Sequence, residues 1–265
     1  MLTASKRAAC QRYFEEKFGV SSPEDLAIFR DELRAHRITL ADEQALRDHS
    51  DSDALASYER AALSLLQAVC DLQKGDRLWA AVKLYYSVFY SLKTEILLER
   101  YTPIRAGRVL IFDCKQGEFC KQYNGRSSGD HGLAIALAKR YFSESDVLQS
   151  QSIDGIMTYE WLKSVREVVQ YRLRRPPELE KFDPFFSDEQ WDLGNQIETF
   201  LADTEPYYAF DADYAALAIP VKRFQLTSQR LMNENMNLDS EFRSYLDRYF
   251  EAGSLSNRFQ ALLPS

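Results

Sequence analysis

Residues 76–101, DRLWAAVKLYYSVFYSLKTEILLERY, form the most apolar segment of the chain and its longest unbroken helical pattern. Leu78, Val82, Tyr85, Phe89, Leu92 and Ile96 recur at steps of four and three, which sets them on one face of an α-helix. Trp79, Tyr86, Tyr90 and Leu97 run beside them, leaving Lys83, Ser87, Thr94 and Glu95 as a narrow polar edge. A helix that is apolar on most sides is stable only where neighbours cover it, at the centre of a bundle. The rest of the chain must supply those neighbours.

The segment just before it supplies the first. Over 54–74 the apolar residues Leu55, Tyr58, Ala62, Leu65, Val69 and Leu72 keep helical spacing, with Cys70 a small core residue among them. Lys74-Gly75-Asp76 is a short link, so the two helices are predicted to be antiparallel neighbours. Thr102-Pro103 ends the central helix. Upstream, residues 5–18 read as a short amphipathic helix with Ala9, Tyr13 and Phe14 inward. Ser22-Pro23-Glu24-Asp25 then starts a second helix that runs to about His36. Thr39 or Asp42 caps a further helix, and DHSDSD at 48–53 reads as a polar loop.

Residues 108–123, RVLIFDCKQGEFCKQY, break the helical period. The run 109–112 favours a strand, Lys115-Gln116-Gly117 a turn and 118–123 a returning strand, followed by a loop over 124–129. Helices are predicted again over 130–142 and 158–173, with a looser SESDVLQSQSIDG between them, and Pro176-Pro177 stops the second. Beyond lie KFDPFF, a short helix over about 188–201, the aromatic EPYYAFDADYAAL, and helices near 222–234 and 239–251. The predicted fold is mainly α: an antiparallel bundle over 54–180 with a β-hairpin inserted near 108–123. It is flanked by a helical N-terminal extension, 1–53, and an acidic helical C-terminal region, 181–265. Scarce glycine (10) and proline (8) beside 45% hydrophobic residues agree with helices rather than a turn-rich β-fold.

Several function classes find no support. Cys10, Cys70, Cys114 and Cys120 form no C-x-x-C pair, and His36, His49 and His131 stand far apart, so no metal or other cofactor is expected. There is no glycine-rich phosphate loop and no Gly-x-Ser-x-Gly elbow. The N-terminus lacks an apolar leader and no apolar run is long enough to span a bilayer, so a cytoplasmic chain without membrane contact is expected. The net charge of −7 is unevenly spread: residues 187–265 carry six basic against thirteen acidic side chains, and the first 186 residues are neutral. A local basic surface is compatible with that balance; strong unspecific binding to nucleic acid is not.

The residue of most interest is Arg166. The apolar stripe of the helix 158–173 runs through Tyr159, Leu162, position 166, Val169 and Leu173. A guanidinium on that stripe stays charged and needs a carboxylate, carbonyls or a ligand phosphate. Two basic segments are candidates for a polyanion surface. Lys163, Arg166, Arg172, Arg174 and Arg175 face a single acid, Glu167, within 163–175, and Arg108, Lys115, Lys121 and Arg126 cluster around the hairpin. Tyr123 and Tyr171 are available to stack bases beside them.

The segments AAVKLYYSVFYSLKTEILL and SVREVVQYR, separated by a region containing DHGLAIALAKRYF, resemble HEPN domains of prokaryotic toxin–antitoxin and antiviral-defence systems. The resemblance covers roughly residues 54–175. It implies a helical bundle in which a paired-aromatic helix packs near a later helix that carries an arginine, followed about four to six residues on by a histidine. In active members the two residues from both subunits of a dimer line a cleft and cut RNA without a metal. Arg166 matches the arginine and Glu167 the polar residue after it, so the resemblance implies RNA or another nucleic acid as partner, a partner protein of the same system, and homodimers. The histidine is absent. Tyr171, Arg172 and Leu173 occupy its positions, and of these only the phenol of Tyr171 carries a transferable proton; phenols, which ordinarily titrate near about 10, are poor bases at neutral pH. A metal-independent endoribonuclease would here lack its proton shuttle, unless His131 approached from another helix.

Two other readings fit parts of the chain. A noncatalytic protein-interaction subunit would use the aromatic surfaces and the acidic tail to bind a partner. Asp113-Cys114-Lys115 after the strand resembles the acid-x-Lys end of metal-dependent nucleases, although no second acid precedes it on a neighbouring strand.

Overall fold

The computed structural model describes residues 7–122, 129–142, 144–174, 192–251 and 260–264. It is mainly helical, with small antiparallel sheets. The chain forms two compact units, each assembled from two separate stretches: Met1–Ser57 with Lys93–Ala136, and Tyr58–Leu92 with Leu137–Ser265.

The first unit opens with α1 (Ala9–Lys17), α2 (Pro23–Leu26) and, after a 3-10 turn, α3 (Arg30–Ala35). Ser22 caps α2 as its sequence predicts, accepting from the Asp25 N–H with Pro23 at the first helical position. Helix α4 (Leu40–Lys74) follows. Thr39 and Asp42 close a reciprocal cap at its start: the Asp42 N–H donates to Thr39 Oγ1 at 3.2 Å, and the Thr39 N–H donates to the Asp42 carboxylate at 2.9 Å. The loop expected at 48–53 is not there. α4 runs straight through DHSDSD, because tertiary partners engage its polar side chains: Ser50 donates to the Leu97 carbonyl at 2.6 Å, Asp51 pairs with Arg100, and the Asp53 carboxylate takes the N–H groups of Ala9 and Cys10 at 2.7 and 3.0 Å.

The central helix is α5 (Arg77–Leu98). Its exit is built by Arg100 at φ 67°, whose carbonyl accepts from the Cys114 N–H at 2.9 Å. Three strands follow, β1 (Tyr101–Ala106), β2 (Arg108–Asp113) and β3 (Lys121–Gln122), paired antiparallel in that order. The expected hairpin is β2 with β3, where Leu110 faces Gln122 and Ile111 faces Lys121. The sheet gains β1, whose Pro103 is tolerated because β1 is an edge strand. Gly107, at φ +70°, makes the β1–β2 turn, and a Cβ there would meet the Arg30 guanidinium, whose Nε donates to the Ala106 carbonyl at 2.9 Å. Cys10, Phe14, Leu26, Leu33 and Leu46 from the helices and Ile38 from the link between α3 and α4 form one buried cluster with Ile104, Leu110 and Phe112 from the sheet, Phe14 stacking on Phe112 at 4.3 Å.

In the second unit, α4 turns into α5 through Gly75 at φ +83°. The Asp76 N–H donates to the Asp71 carbonyl and the Gly75 N–H to the Leu72 carbonyl, the paired bonds of a left-handed helix end. Lys83 on α5 meets Asp71 on α4, consistent with antiparallel neighbours. α6 (Gly129–Phe142) spans the point in the chain, after Ala136, where the first unit's second stretch ends and the second unit's begins. The stretch expected to be loose ends in β4 (Ser152–Ile153) and a turn at Asp154-Gly155, both at positive φ, which pairs β4 with β5 (Ile156–Met157) just beyond it. α7 (Thr158–Glu167) then widens into a π-helical turn, Val168–Arg172.

Further on lie α8 (Leu193–Ala202), α9 (Ala212–Asn233) and α10 (Ser240–Glu251). α9 starts ten residues earlier than its sequence pattern suggests and takes Pro220 into its interior. Tyr58 of α4 is fully buried, stacked on Phe224 at 5.1 Å and hydrogen-bonded to Ser228 at 2.7 Å. Another buried network joins the Asp146 carboxylate, the Tyr159 hydroxyl and Arg223, whose Nη1 stands 3.2 Å from Asp146. KFDPFF, the loop after the hairpin and the start of the helix expected from 188 lie outside the described residues. No helix among those described is long and apolar enough to cross a membrane.

Candidate functional site

On α7 the buried residues are Thr158, Tyr159, Trp161, Leu162 and Val165, continued by Val169 in the π turn. Arg166 sits on the flank of these residues rather than at their centre. Its side chain is 12% exposed. The guanidinium carbon lies 5.1 Å from the ring centre of the buried Tyr85 on α5 and 6.0 Å from that of Tyr171. Ring faces offset part of the cost of removing the cation from water, and only part. The Glu167 carboxylate is 3.8 Å away, and Nε has no hydrogen-bond partner among the described residues.

The π turn explains why Tyr171 is here. Its bond runs from the Leu173 N–H back five residues to the Val168 carbonyl, at 3.0 Å, and the widened turn puts the Tyr171 ring beside Arg166, five positions earlier. Tyr171 is 70% exposed, so one ring face meets Arg166 while much of the side chain meets water. Burial raises the Tyr85 phenol well above its ordinary pKa; nearby Arg166 opposes this, and Tyr86 and Glu167 add to it. Tyr85 is thus a neutral ring at physiological pH.

Glu167 is the centre of the local charge. Its two carboxylate oxygens lie 3.6 Å from Lys163, 3.8 Å from Arg166 and 3.8 Å from Arg172. Arg174 is exposed nearby in sequence. The cluster Lys163, Arg166, Glu167, Tyr171 and Arg172 is therefore brought together, while Arg175 lies outside the described residues.

The hairpin residues are dispersed by comparison. Arg108 opens β2 and Lys115 lies two residues past its end, so the length of the strand, on the order of 17 Å, falls between their backbones, and Lys121 pairs opposite Ile111 in its middle. All three are exposed. Arg126 and Tyr123 lie outside the described residues. This basic segment belongs to the first unit and the α7 cluster to the second. His131 also belongs to the first unit, on α6.

Asp113 is buried, and its Oδ1 has no partner among the described residues. Burial raises its pKa; Lys115 opposes the rise and Glu118 adds to it. Among the described residues no group of three or more His, Cys, Asp or Glu side chains is placed to share a metal ion. The Asp146–Tyr159–Arg223 network was not singled out by the sequence, although Lys222-Arg223 in the middle of an apolar helical run is the same signal that marks Arg166.

Comparison with models of known families, with curated proteins and with solved structures finds no match to this chain.

Proposed function

We propose that this chain is a HEPN-like RNA-binding component of a prokaryotic defence or toxin-type system, and that it holds single-stranded RNA at the α7 cluster without cutting it. The kind of system rests on the two resembling segments alone. The binding chemistry rests on one observation: a guanidinium 12% exposed, with Nε unpartnered among the described residues and its nearest carboxylate 3.8 Å away. A phosphate oxygen supplies what that group lacks, since guanidinium and phosphate form short, charge-assisted hydrogen bonds. Exposed Tyr171 offers a ring on which a base can stack, and exposed Arg172 and Arg174 extend the positive surface along a strand.

Binding is favoured over cleavage by the make-up of the cluster. Arg166 makes its ion-pair and ring contacts with Glu167, Tyr85 and Tyr171, none of them a histidine. In-line attack by a ribose hydroxyl needs a group that takes and returns a proton near neutral pH.

The test is fluorescence anisotropy with a labelled single-stranded RNA at low salt, beside a gel assay for cleavage. Arg166→Ala is expected to weaken binding by about tenfold or more, as loss of a hydrogen bond to a charged group costs roughly 1.5–3 kcal/mol. The RNA is expected to stay intact. Failure of the wild type to bind at low salt overturns the reading, as does an Arg166→Ala variant that binds unchanged.

A further inference from the structure

Glu167 faces three cations and makes a close bond with none of them. Its separations from Lys163, Arg166 and Arg172, 3.6 to 3.8 Å, are ion-pair distances beyond the range of a hydrogen bond. A carboxylate selected to hold one of these side chains would approach it to below about 3 Å, as charge-assisted bonds do. Glu167 instead occupies the common position between them. It is also 31% exposed, so it can swing into water without stranding a buried charge.

We propose that Glu167 is a built-in stand-in for the ligand's phosphodiester: it keeps Lys163, Arg166 and Arg172 gathered in the free protein and is displaced when an RNA phosphate takes its place. The proposal rests on the RNA-binding reading above and adds a regulatory property to that site. A phosphodiester presents its negative charge on two unesterified oxygens and can accept from Arg166 and Arg172 together. The Glu167 carboxylate is tethered to the same helix and reaches each cation only loosely. Occupancy by Glu167 therefore taxes every binding event with its displacement, and it makes the site selective for anions that offer more than one strong acceptor. Free carboxylates such as acetate gain nothing there that Glu167 does not already provide.

The experiment compares the wild type, Glu167→Gln, Arg166→Ala and the double variant Glu167→Gln/Arg166→Ala. Glu160→Gln, which removes the same charge about two turns earlier on α7, serves as control. Each is titrated with the same labelled single-stranded RNA at several salt concentrations, after circular dichroism has shown equal helicity and melting.

Glu167→Gln is expected to bind about five- to tenfold tighter than the wild type and to show a steeper salt dependence, because released cations each add about 0.7 to the slope for a single strand. Glu160→Gln is expected to match the wild type, and the gain from Glu167→Gln is expected to vanish when Arg166 is also replaced. A Glu167→Gln variant that binds no tighter than a wild type that does bind overturns the stand-in role and leaves the RNA-binding reading intact. A gain of equal size in Glu160→Gln, or one that persists without Arg166, overturns it too, since general charge removal then explains the effect. If neither the wild type nor Glu167→Gln binds, the RNA-binding reading itself falls and the inference with it.

Discussion

Asp42 has no solvent exposure, yet its surroundings keep it ionised. Its carboxylate accepts from the Tyr13 hydroxyl, the Lys17 ammonium and both the N–H and the hydroxyl of Thr39, and lies 3.0 Å from His36 Nε2. Burial pushes its pKa up, but the hydrogen bonds from Lys17, Tyr13 and Thr39 outweigh burial and hold it well below the usual carboxylate range. Burial, and after it the contact with Asp42, pushes the Tyr13 phenol up. A carboxyl whose pKa is lower folded than unfolded stabilises the fold fully above the unfolded value, near about 4, and progressively less as pH falls below it. Asp42→Asn is expected to cost roughly 2–4 kcal/mol in urea unfolding at pH 7.5, and the gap from the wild type is expected to narrow at pH 3.5. An equal gap at both pH values would mean that shape, not charge, is what Asp42 contributes. Local signals made half of this site legible: Thr39 and Asp42 three residues apart announce a helix start, whereas the convergence of Tyr13, Lys17 and His36 depends on how the N-terminal helices fold back.

At the scale of elements, α4 is the instructive case. Asp and Ser are poor helix formers because their side chains compete for the backbone, which is why DHSDSD reads as a loop. In the fold those side chains are spent elsewhere, Ser50 on the Leu97 carbonyl, Asp51 on Arg100 and Asp53 on the start of α1. Asp53 caps another helix from the middle of its own, at the positive end of the α1 dipole. Asp53→Ala is expected to destabilise by about 1–2 kcal/mol and to speed amide exchange across Ala9–Lys17 while leaving Ala212–Asn233 unchanged. Uniform exchange in both helices would show that the cap contributes nothing local. The β4–β5 hairpin shows the opposite relation: Asp154-Gly155 between Ile153 and Ile156 is a turn signal plainly present in the sequence, and the two-residue strands beside it are too short to give a period.

For the whole molecule, the decisive feature is that the first unit joins Met1–Ser57 to Lys93–Ala136. Its core needs both stretches: Cys10, Phe14, Leu26, Leu33 and Ile38 cover Ile104, Leu110 and Phe112. Each large apolar side chain so covered contributes on the order of 1.5–3 kcal/mol. A chain lacking residues 1–39 is therefore expected to leave the sheet uncovered, to bind a hydrophobic dye, and to be cut by protease within 101–122 under conditions where the full chain resists. Protected sheet amides in the shortened chain would show that the N-terminal helices are dispensable to it.

The sequence by itself determined most of the helices, though not the middle of α4 or the first ten residues of α9, because periodicity and caps are set by neighbours within a few residues. It determined the mainly helical class and the hairpin, and it marked Arg166 as a charge on an apolar face. Only the tertiary structure decided that 48–53 is helical, that β1 joins the sheet, that Tyr85 lies beside Arg166, and that Glu167 stands among three cations. Those outcomes depend on partners far away in the chain or on a local π turn with no period to announce it. For the first three the physical reason is the same: backbone preferences are worth tenths of a kcal/mol per residue, and a single buried contact between distant residues outweighs them.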